Sequence, residues 1–173
     1  MSALANSATG RTYISGSKYY NQYIKEDTMC IAKMAVGFAG LDSAAYSSMA
    51  GVAAESTAMT AVAASSTAMT AVAASGVARS AIEASSTAIN VLSGSSKKTT
   101  YSDTSASWDT KKITGKGFVF TAKDDQSTSG GYITVDGSKT MVENGSQKTI
   151  NKFYTSNWEA YLYKGKVVYL PIS

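Results

Sequence analysis

The polar residues of this chain offer little chemistry, because its 173-residue sequence contains no histidine. Ser-His-Asp and Cys-His nucleophilic systems need an imidazole as general base, and histidine metal sites need it as a ligand. Two carboxylates can together hydrolyse a glycoside, but nothing in the sequence places any two of the candidates side by side. Those candidates are Asp103, Asp109, Asp124, Asp136, Glu143 and Glu159. We therefore expect a protein that is not an enzyme and needs no cofactor.

Asp124 and Asp125, followed by Gln126 and a Ser/Gly loop, are the best candidates for a cation site. Carboxylate oxygens suit a hard cation such as calcium. No Glu follows at the spacing that completes a calcium-binding loop, so a solvated turn is the preferred interpretation. We predict no metal site.

Cys30 is the only cysteine and lies among apolar residues. A single cysteine excludes an intrachain disulfide. The preferred interpretation is a buried, reduced thiol, and the alternatives are an intermolecular disulfide or a reactive site.

Aromatic residues accumulate in the last third of the chain, where they are candidates for a sugar-binding face. The candidates for surface binding are Trp108, Tyr132, Trp158 and Tyr161, within a wider set that also holds Tyr154, Tyr163 and Tyr169. Packing in a core or between subunits is the competing role for each of them.

Positive charge also lies in the last third. The formal net charge is +4, and residues 1–96 are balanced, so the whole excess follows them. Its lysines are scattered among acids with almost no arginine, which argues against specific reading of a nucleic acid. Solubility, or attraction to an anionic cell surface or capsid, explains the excess more simply.

A ten-residue repeat precedes this region. The sequence STAMTAVAAS occupies residues 56–65, is followed by a second copy, and sets alanines three, three and four residues apart. Alanine is the best helix former, and strict alternation is missing, so the repeat predicts helix. Ten residues in three turns give about 3.3 residues per turn, which keeps one stripe buried only in a tight left-handed supercoil.

We therefore predict a coiled-coil stalk whose small residues form an oligomer contact, the Ala seam. Its members are Ala58, Met59, Ala61, Val62, Ala64, Ala68, Met69, Ala71, Val72, Ala78, Ile82 and Ile89. One alternative is an αα-hairpin, with a helix over about residues 18–36 returning on a helix that begins near Ser43. Another is a membrane span over residues 56–78, which is uncharged but lacks large apolar side chains.

Residues 1–17 show no periodicity and predict an extended or irregular arm. The end of this arm and the residues after it carry a mostly aromatic cluster, made of Tyr13, Ile14, Tyr19, Tyr20 and Tyr23. Aromatic residues near a terminus either anchor a protein in an assembly or pack in a core. No signal peptide is evident at the start of this sequence. The predicted regions are an arm and attachment helix at 1–42, the coiled coil at 43–93, a neck at 94–107 and a β module at 108–173.

The β module follows from β-branched and aromatic composition with turn dipeptides. Strands are predicted at residues 117–122, 131–135, 139–142, 147–153, 158–163 and 166–170. Asp136-Gly137 and Asn144-Gly145 are favoured hairpin turns, and Lys164-Gly165 is a third turn signal. The fold class is therefore α+β, with a helical stalk followed by a small antiparallel β-sandwich or jelly-roll-like module.

The decads at 56–90, followed by KGFVF at 116–120, GGYITVDG at 130–137 and NKFY at 151–154, resemble virion proteins of tailed bacteriophages. These are the fibre, head-fibre and decoration types. The resemblance covers about two thirds of the chain and brings no catalytic motif. It implies a homotrimer with an N-terminal attachment region, a helical stalk and a distal β tip.

We therefore expect a structural protein of a phage particle, with itself and other virion proteins of capsid, collar or tail as partners. The first alternative is a receptor-binding tail-fibre adhesin whose tip recognises a cell-surface glycan. The second is a capsid-cementing or collar protein. A bacterial surface adhesin is a third, for which the expected export signal is not evident. No nucleic-acid partner is expected.

Overall fold

The computed structural model describes residues 1–125 and 130–172, and the chain forms two compact units, Met1–Ser95 and Ser96–Ile172. The first is helical and the second holds two antiparallel four-stranded sheets. The predicted α+β class, with helices before strands, is confirmed.

The helical unit is a succession of short helices. They are α1 (Ser2–Asn6), α2 (Ala8–Gly16), a π-helix (Tyr20–Ile24), α3 (Thr28–Phe38), a 3-10 helix (Ser43–Ala45), α4 (Met49–Ala54), α5 (Ser56–Ala64), α6 (Ser66–Ala74), α7 (Gly76–Glu83) and α8 (Ser86–Ser93). In the repeat region, therefore, each helix corresponds to one copy of the decad.

Ser65, Ser75 and Ser85, ten residues apart, separate helices α5 to α8. Ser65 has extended backbone angles, φ −91° and ψ 111°, which cannot continue a helix. Its hydroxyl accepts a hydrogen bond of 3.2 Å from the amide of Ala68, and Ser75 and Ser85 cap α7 and α8 in the same way. Serine is among the best N-cap residues because this bond satisfies an amide that lacks a partner within the helix.

These breaks contradict the prediction of one long helix over residues 43–93. Helices α5 and α6 are bent by 101° to each other, so the chain turns sharply at Ser65. The predicted αα-hairpin is wrong for the same reason. High alanine propensity gives helix within each decad, but the capping serine ends it.

The turns bring each helix of the repeat region against the third helix before it: α6 packs on α3, α7 on α4 and α8 on α5. Two of the capping serines also bond to earlier helices. The hydroxyl of Ser65 donates to the carbonyl of Phe38 at 3.2 Å, and that of Ser85 donates to the carbonyl of Ala53 at 2.6 Å. One side chain thus caps a new helix and satisfies a carbonyl near the end of an earlier one.

The residues of the predicted Ala seam pack within this one chain. The third and seventh positions of every decad are fully buried: Ala58, Ala68, Ala78, Ala88, Val62, Val72, Ile82 and Leu92. Of the other seam residues, Met59, Met69 and Ala71 are buried, Ala61 and Ile89 are half-buried, and Ala64 is exposed. The stripe that a straight helix would leave uncovered is therefore buried because the chain turns, and no second chain is needed to cover it.

The predicted irregular arm is also wrong, because α1 and α2 are helices packed into the unit. Ala5, in α1, is fully buried. A Cβ atom at Gly37 of α3 would collide with the carbonyl oxygen of Ala5. The guanidinium of Arg11 donates to the same oxygen at 2.8 Å. The end of α1 therefore lies directly on α3, and glycine allows that approach.

The decad extends into this N-terminal region with different residues. Ser7 caps α2, and Asp27, two decads later, caps α3 by accepting from the amide of Cys30 at 2.8 Å. Three apolar residues, each seven positions after Ser7, Ser17 and Asp27, correspond to Val62 and its equivalents. They are Ile14, Ile24 and Met34, of which the first and third are buried and Ile24 packs against them.

Within residues 96–125 and 130–172, the second unit has eight strands. They are β1 (Thr99–Ser102), β2 (Trp108–Thr114), β3 (Lys116–Lys123), β4 (Gly131–Val135), β5 (Ser138–Val142), β6 (Gln147–Tyr154), β7 (Asn157–Tyr163) and β8 (Lys166–Ile172). The first sheet has the order β1-β8-β3-β6 and the second β2-β7-β4-β5, and every pairing is antiparallel. All six predicted strands are present. Two more strands form, and β1 lies in the segment predicted as a neck.

The two sheets share one apolar core. The first sheet contributes Val119 and Val167, and the second contributes Ile133, Trp158 and Leu162. Val119 lies on β3 and Leu162 on β7, so each sheet covers the apolar face of the other. This is the predicted sandwich of antiparallel hairpins.

Candidate functional site

The alternation of β7 assigns its side chains to two faces of the second sheet. Trp158 and Leu162 are buried in the shared core, whereas Glu159, Tyr161 and Tyr163 are half-buried on the opposite face. Strand geometry requires this, since successive side chains point to opposite sides. The outer face of the second sheet therefore carries tyrosines where an ordinary solvated face carries polar residues.

Antiparallel register adds two more aromatic residues to this face. Trp108 of β2 lies opposite Tyr163, and Tyr132 of β4 lies opposite Tyr161. We call Trp108, Tyr132, Tyr161 and Tyr163 the aromatic face. The ring centroids of Trp108 and Tyr161 are 5.1 Å apart with 21° between the planes, and those of Tyr161 and Tyr132 are 5.6 Å apart with 32° between them. Tyr163 lies 6.0 Å from Trp108.

Polar and charged side chains border the aromatic face. Lys139 of β5 places its Nζ atom 3.9 Å from the ring centroid of Tyr132. Lys112 approaches Glu159 at 3.9 Å, and both stand on the same outer surface. Met141, opposite Tyr132 in the register, is 56% exposed and extends the apolar surface to the edge strand.

Three of the four predicted surface aromatic residues thus come together, and the fourth does not. Trp158 is fully buried and packs against Tyr169 at 5.2 Å and Tyr101 at 6.2 Å between ring centroids, so its prediction as a surface residue is wrong. Tyr154 is also a core residue, and burial, with a contribution from Tyr169, raises the pKa of its phenol to about 12. Tyr163 belongs to the aromatic face although only the wider set of candidates included it.

This arrangement suits recognition of a sugar. Tyrosine and tryptophan combine an apolar ring with a polar tip, so they can pack on the C–H face of a sugar while they hydrogen-bond its hydroxyls. The same cross-strand aromatic pairs also stabilise the sheet, by about 0.2–1 kcal/mol each. The aromatic face therefore has a structural role whether or not it binds a ligand.

The predicted solvated turn at Asp124 and Asp125 is only partly correct. Asp124 is fully buried, and one of its oxygens accepts from the amide of Tyr163 at 3.5 Å. Asp125 is exposed and pairs with Lys123, whose hydrogen bond lowers the pKa of the carboxyl. Gln126 lies outside the described residues. Within residues 1–125 and 130–172, no three Cys, Asp or Glu side chains are grouped as metal ligands.

Two of the candidate catalytic carboxylates lie near each other, around Ser105. The amide of Ser105 donates to Asp103 at 2.8 Å, and its hydroxyl donates to Asp109 at 2.7 Å. The hydroxyls of Ser105 and Ser107 lower the pKa of Asp109, so this carboxyl is held ionised at the exposed start of β2. A general acid needs the opposite shift.

In the helical unit, Cys30 is half-buried at the start of α3. Burial, reinforced by a hydrogen bond to Asp27, raises the pKa of its thiol, which keeps it protonated and unreactive. Of the N-terminal aromatic cluster, Ile14 and Tyr20 are buried, whereas Tyr13, Tyr19 and Tyr23 are 77%, 52% and 60% exposed. The cluster therefore divides between a core role and a surface role.

No single helix among the described residues is long and apolar enough to cross a membrane, and the pair α5 and α6 meets the length and composition only when taken together across its bend. No protein family matches the chain, and no curated protein matches its sequence.

Proposed function

We propose that the protein is a non-enzymatic structural component of a tailed-phage particle and that its β module binds a glycan on the host cell surface. The observation that carries the glycan-binding role is the aromatic face, in which Trp108, Tyr161 and Tyr132 form a continuous row across three strands. The decads and the β-module motifs support the assignment to a virion through their resemblance to fibre and decoration proteins.

In this proposal the helical unit attaches the protein to the capsid, collar or tail. The exposed tyrosines Tyr13, Tyr19 and Tyr23 support an attachment surface, because large aromatic side chains are enriched in protein interfaces. The homotrimer implied by the resemblance stays a prediction. It would have to form mainly through surfaces other than the Ala seam, because most residues of that seam are buried within one chain.

The glycan-binding role is tested with the full-length protein on a glycan array and on host cells. Trp108→Ala should abolish binding, since it removes the ring that contacts both Tyr161 and Tyr163. Tyr23→Ala removes an exposed aromatic residue from the helical unit and should leave glycan binding unchanged. Trp158 remains as the single tryptophan in Trp108→Ala, so its fluorescence verifies that the core is intact.

A decoration protein is the second candidate, and the exposed N-terminal tyrosines favour it. Particles that lack the protein should bind it when it is added back, and Tyr13→Ala combined with Tyr23→Ala should weaken that binding. If the double variant binds particles as the parent does, the attachment surface is elsewhere. Binding to particles, without binding to any glycan or cell, would favour a decoration protein over a receptor-binding protein. Light scattering of the full chain measures its mass and tests the trimer directly.

A further inference from the structure

We propose that the aromatic face binds an anionic glycan, through carboxylate or phosphate groups, in preference to a neutral one. This inference rests on the glycan-binding function proposed above and specifies its ligand class. It depends on the lysines that border the aromatic face and on how few acids accompany them.

Lys139 is the principal cation. Its Nζ atom lies 3.9 Å from the ring centroid of Tyr132, at the end of the aromatic row on the edge strand β5. A cation over an aromatic ring is attracted by the negative face of the ring, so Tyr132 holds the ammonium beside the row. Lys139 is exposed and makes no ion pair among the described residues. Its charge is therefore available to a ligand.

Lys164 lies beyond the other end of the aromatic face. It occupies the turn after β7 with φ 46°, and its Nζ atom is 5.8 Å from the ring centroid of Tyr163. Asp125 is close enough for Lys164 to contribute to lowering the pKa of its carboxyl, but the ion pair of Asp125 is with Lys123. An anionic ligand on the aromatic face would thus meet a lysine at each end.

Among the described strands, Glu159 is the only acidic residue on this outer face of the second sheet, and it is already paired with a lysine. Glu159 lies on the central strand β7, and Lys112 of the neighbouring strand β2 approaches it at 3.9 Å. Thr134, on the other side of Glu159, donates its hydroxyl to the Glu159 carbonyl at 3.3 Å. Lys112 is set against Glu159, so Lys139 and Lys164, which make no ion pair among the described residues, remain as positive charge beside the rings. A neutral glycan could use the rings but would gain nothing from these two charges.

The test uses the full-length protein and matched pairs of glycans that differ only in charge. The pairs are polygalacturonate with its methyl ester, and sialylated oligosaccharides and phosphorylated polysaccharide with their desialylated and dephosphorylated forms. At low ionic strength we expect the acidic member of at least one pair to bind about tenfold more tightly, and the preference to decrease with salt.

Lys139→Gln combined with Lys164→Gln should reduce that preference to about twofold or less, while binding to the neutral member is unchanged. Lys148→Gln, an exposed lysine of β6 in the other sheet, removes charge from the same unit and is the matched control. Equal binding of acidic and neutral members, abolished by Trp108→Ala, would overturn the anionic preference and leave glycan binding intact. A preference that survives the double substitution would overturn the role of the two lysines. Binding to none of the glycans or cells would overturn both proposals.

Discussion

The carboxylate of Asp136 accepts hydrogen bonds from both the amide and the hydroxyl of Thr155, at 2.6 and 2.8 Å. It also accepts from the amides of Ser156 and Asn157, at 2.9 and 3.1 Å. Asp136 lies in the turn between β4 and β5, and its partners lie in the turn between β6 and β7. One side chain therefore holds together two turns that are distant in sequence.

Acid should weaken the β module through this residue. Partial burial raises the pKa of Asp136, but the hydrogen bonds from Thr155, Asn157 and Ser156 outweigh it, so the pKa is below its ordinary value. A carboxyl with a depressed folded pKa stabilises the fold above its unfolded pKa, near 3.9, and the stabilisation is lost as pH falls through the folded value. Asp136→Asn should therefore cost about 1 kcal/mol at pH 7 and progressively less below about pH 4.

Tryptophan fluorescence during urea unfolding measures this difference, because both tryptophans lie in the second unit. Asparagine tolerates the positive φ of 46° at this position, so the substitution tests the charge rather than the backbone. A cost that is the same at pH 3 and pH 7 would show that ionisation of Asp136 is not involved.

Gly37 and Gly16 make a matched pair for testing how α1 is held. A methyl group at Gly37 would collide with the Ala5 carbonyl, whereas nothing lies within 4 Å of a Cβ at Gly16. Gly37→Ala should lower the melting temperature of the helical signal, because overpacking at this site costs about 1–3 kcal/mol of stability. Gly16→Ala should leave it unchanged or raise it, because alanine favours helix. If both substitutions stabilise the unit, α1 is not packed on α3.

The strands of the second unit were predictable because their signals are local. Alternation and the Asp-Gly and Asn-Gly turns gave β4 its exact limits, Gly131–Val135. The same alternation, applied to β7, would have separated Trp158 from Tyr161 and Tyr163, since the even positions 158, 160 and 162 face the core. Residue type alone does not separate the aromatic face from the core, because aromatic residues occupy both; the position of each residue along its strand does.

The helical unit could not be predicted from helix propensity alone. Serine costs little inside a helix, so the average composition of the decad gives no warning of a break at Ser65. The informative signal is the recurrence of serine every ten residues from Ser65. At such a position one hydroxyl accepts from an amide of the next helix and also donates to a carbonyl of an earlier helix, at Phe38 or Ala53. In the N-terminal decads alanine is scarcer, and the spacing of Ser7, Ser17 and Asp27 preserves the pattern.

Ala68 and Ala64 distinguish the folded decads from a coiled-coil seam. Ala68 is fully buried in α6, and Ala64 is exposed at the end of α5. Ala68→Leu should destabilise the helical unit by about 1–3 kcal/mol, and Ala64→Leu should change it by less than about 0.5 kcal/mol. Thermal unfolding followed by circular dichroism measures both. Equal effects, or a change in mass for Ala64→Leu, would favour the seam as an oligomer contact.

Adding or removing one decad tests the packing of each helix on the third before it. Residues 56–65 and 66–75 have the same sequence, so deleting either gives the same shortened protein. In that protein α7 becomes the third helix after α3 and must take the place of α6. Arg79 would then occupy the position of Met69, which is 4% exposed, and the unit should lose more than about 3 kcal/mol.

An extra copy of STAMTAVAAS inserted after Ser85 should instead be tolerated. The preceding helices keep their neighbours, the new helix packs on α5, and α8 moves on to α6, so helical content rises while the melting temperature is maintained. A coiled coil would respond differently, because removal and addition of one decad change only its length and preserve its register. Circular dichroism of both variants decides the matter: equal tolerance of deletion and insertion would contradict the folded decads, and loss of structure on deletion alone would support them.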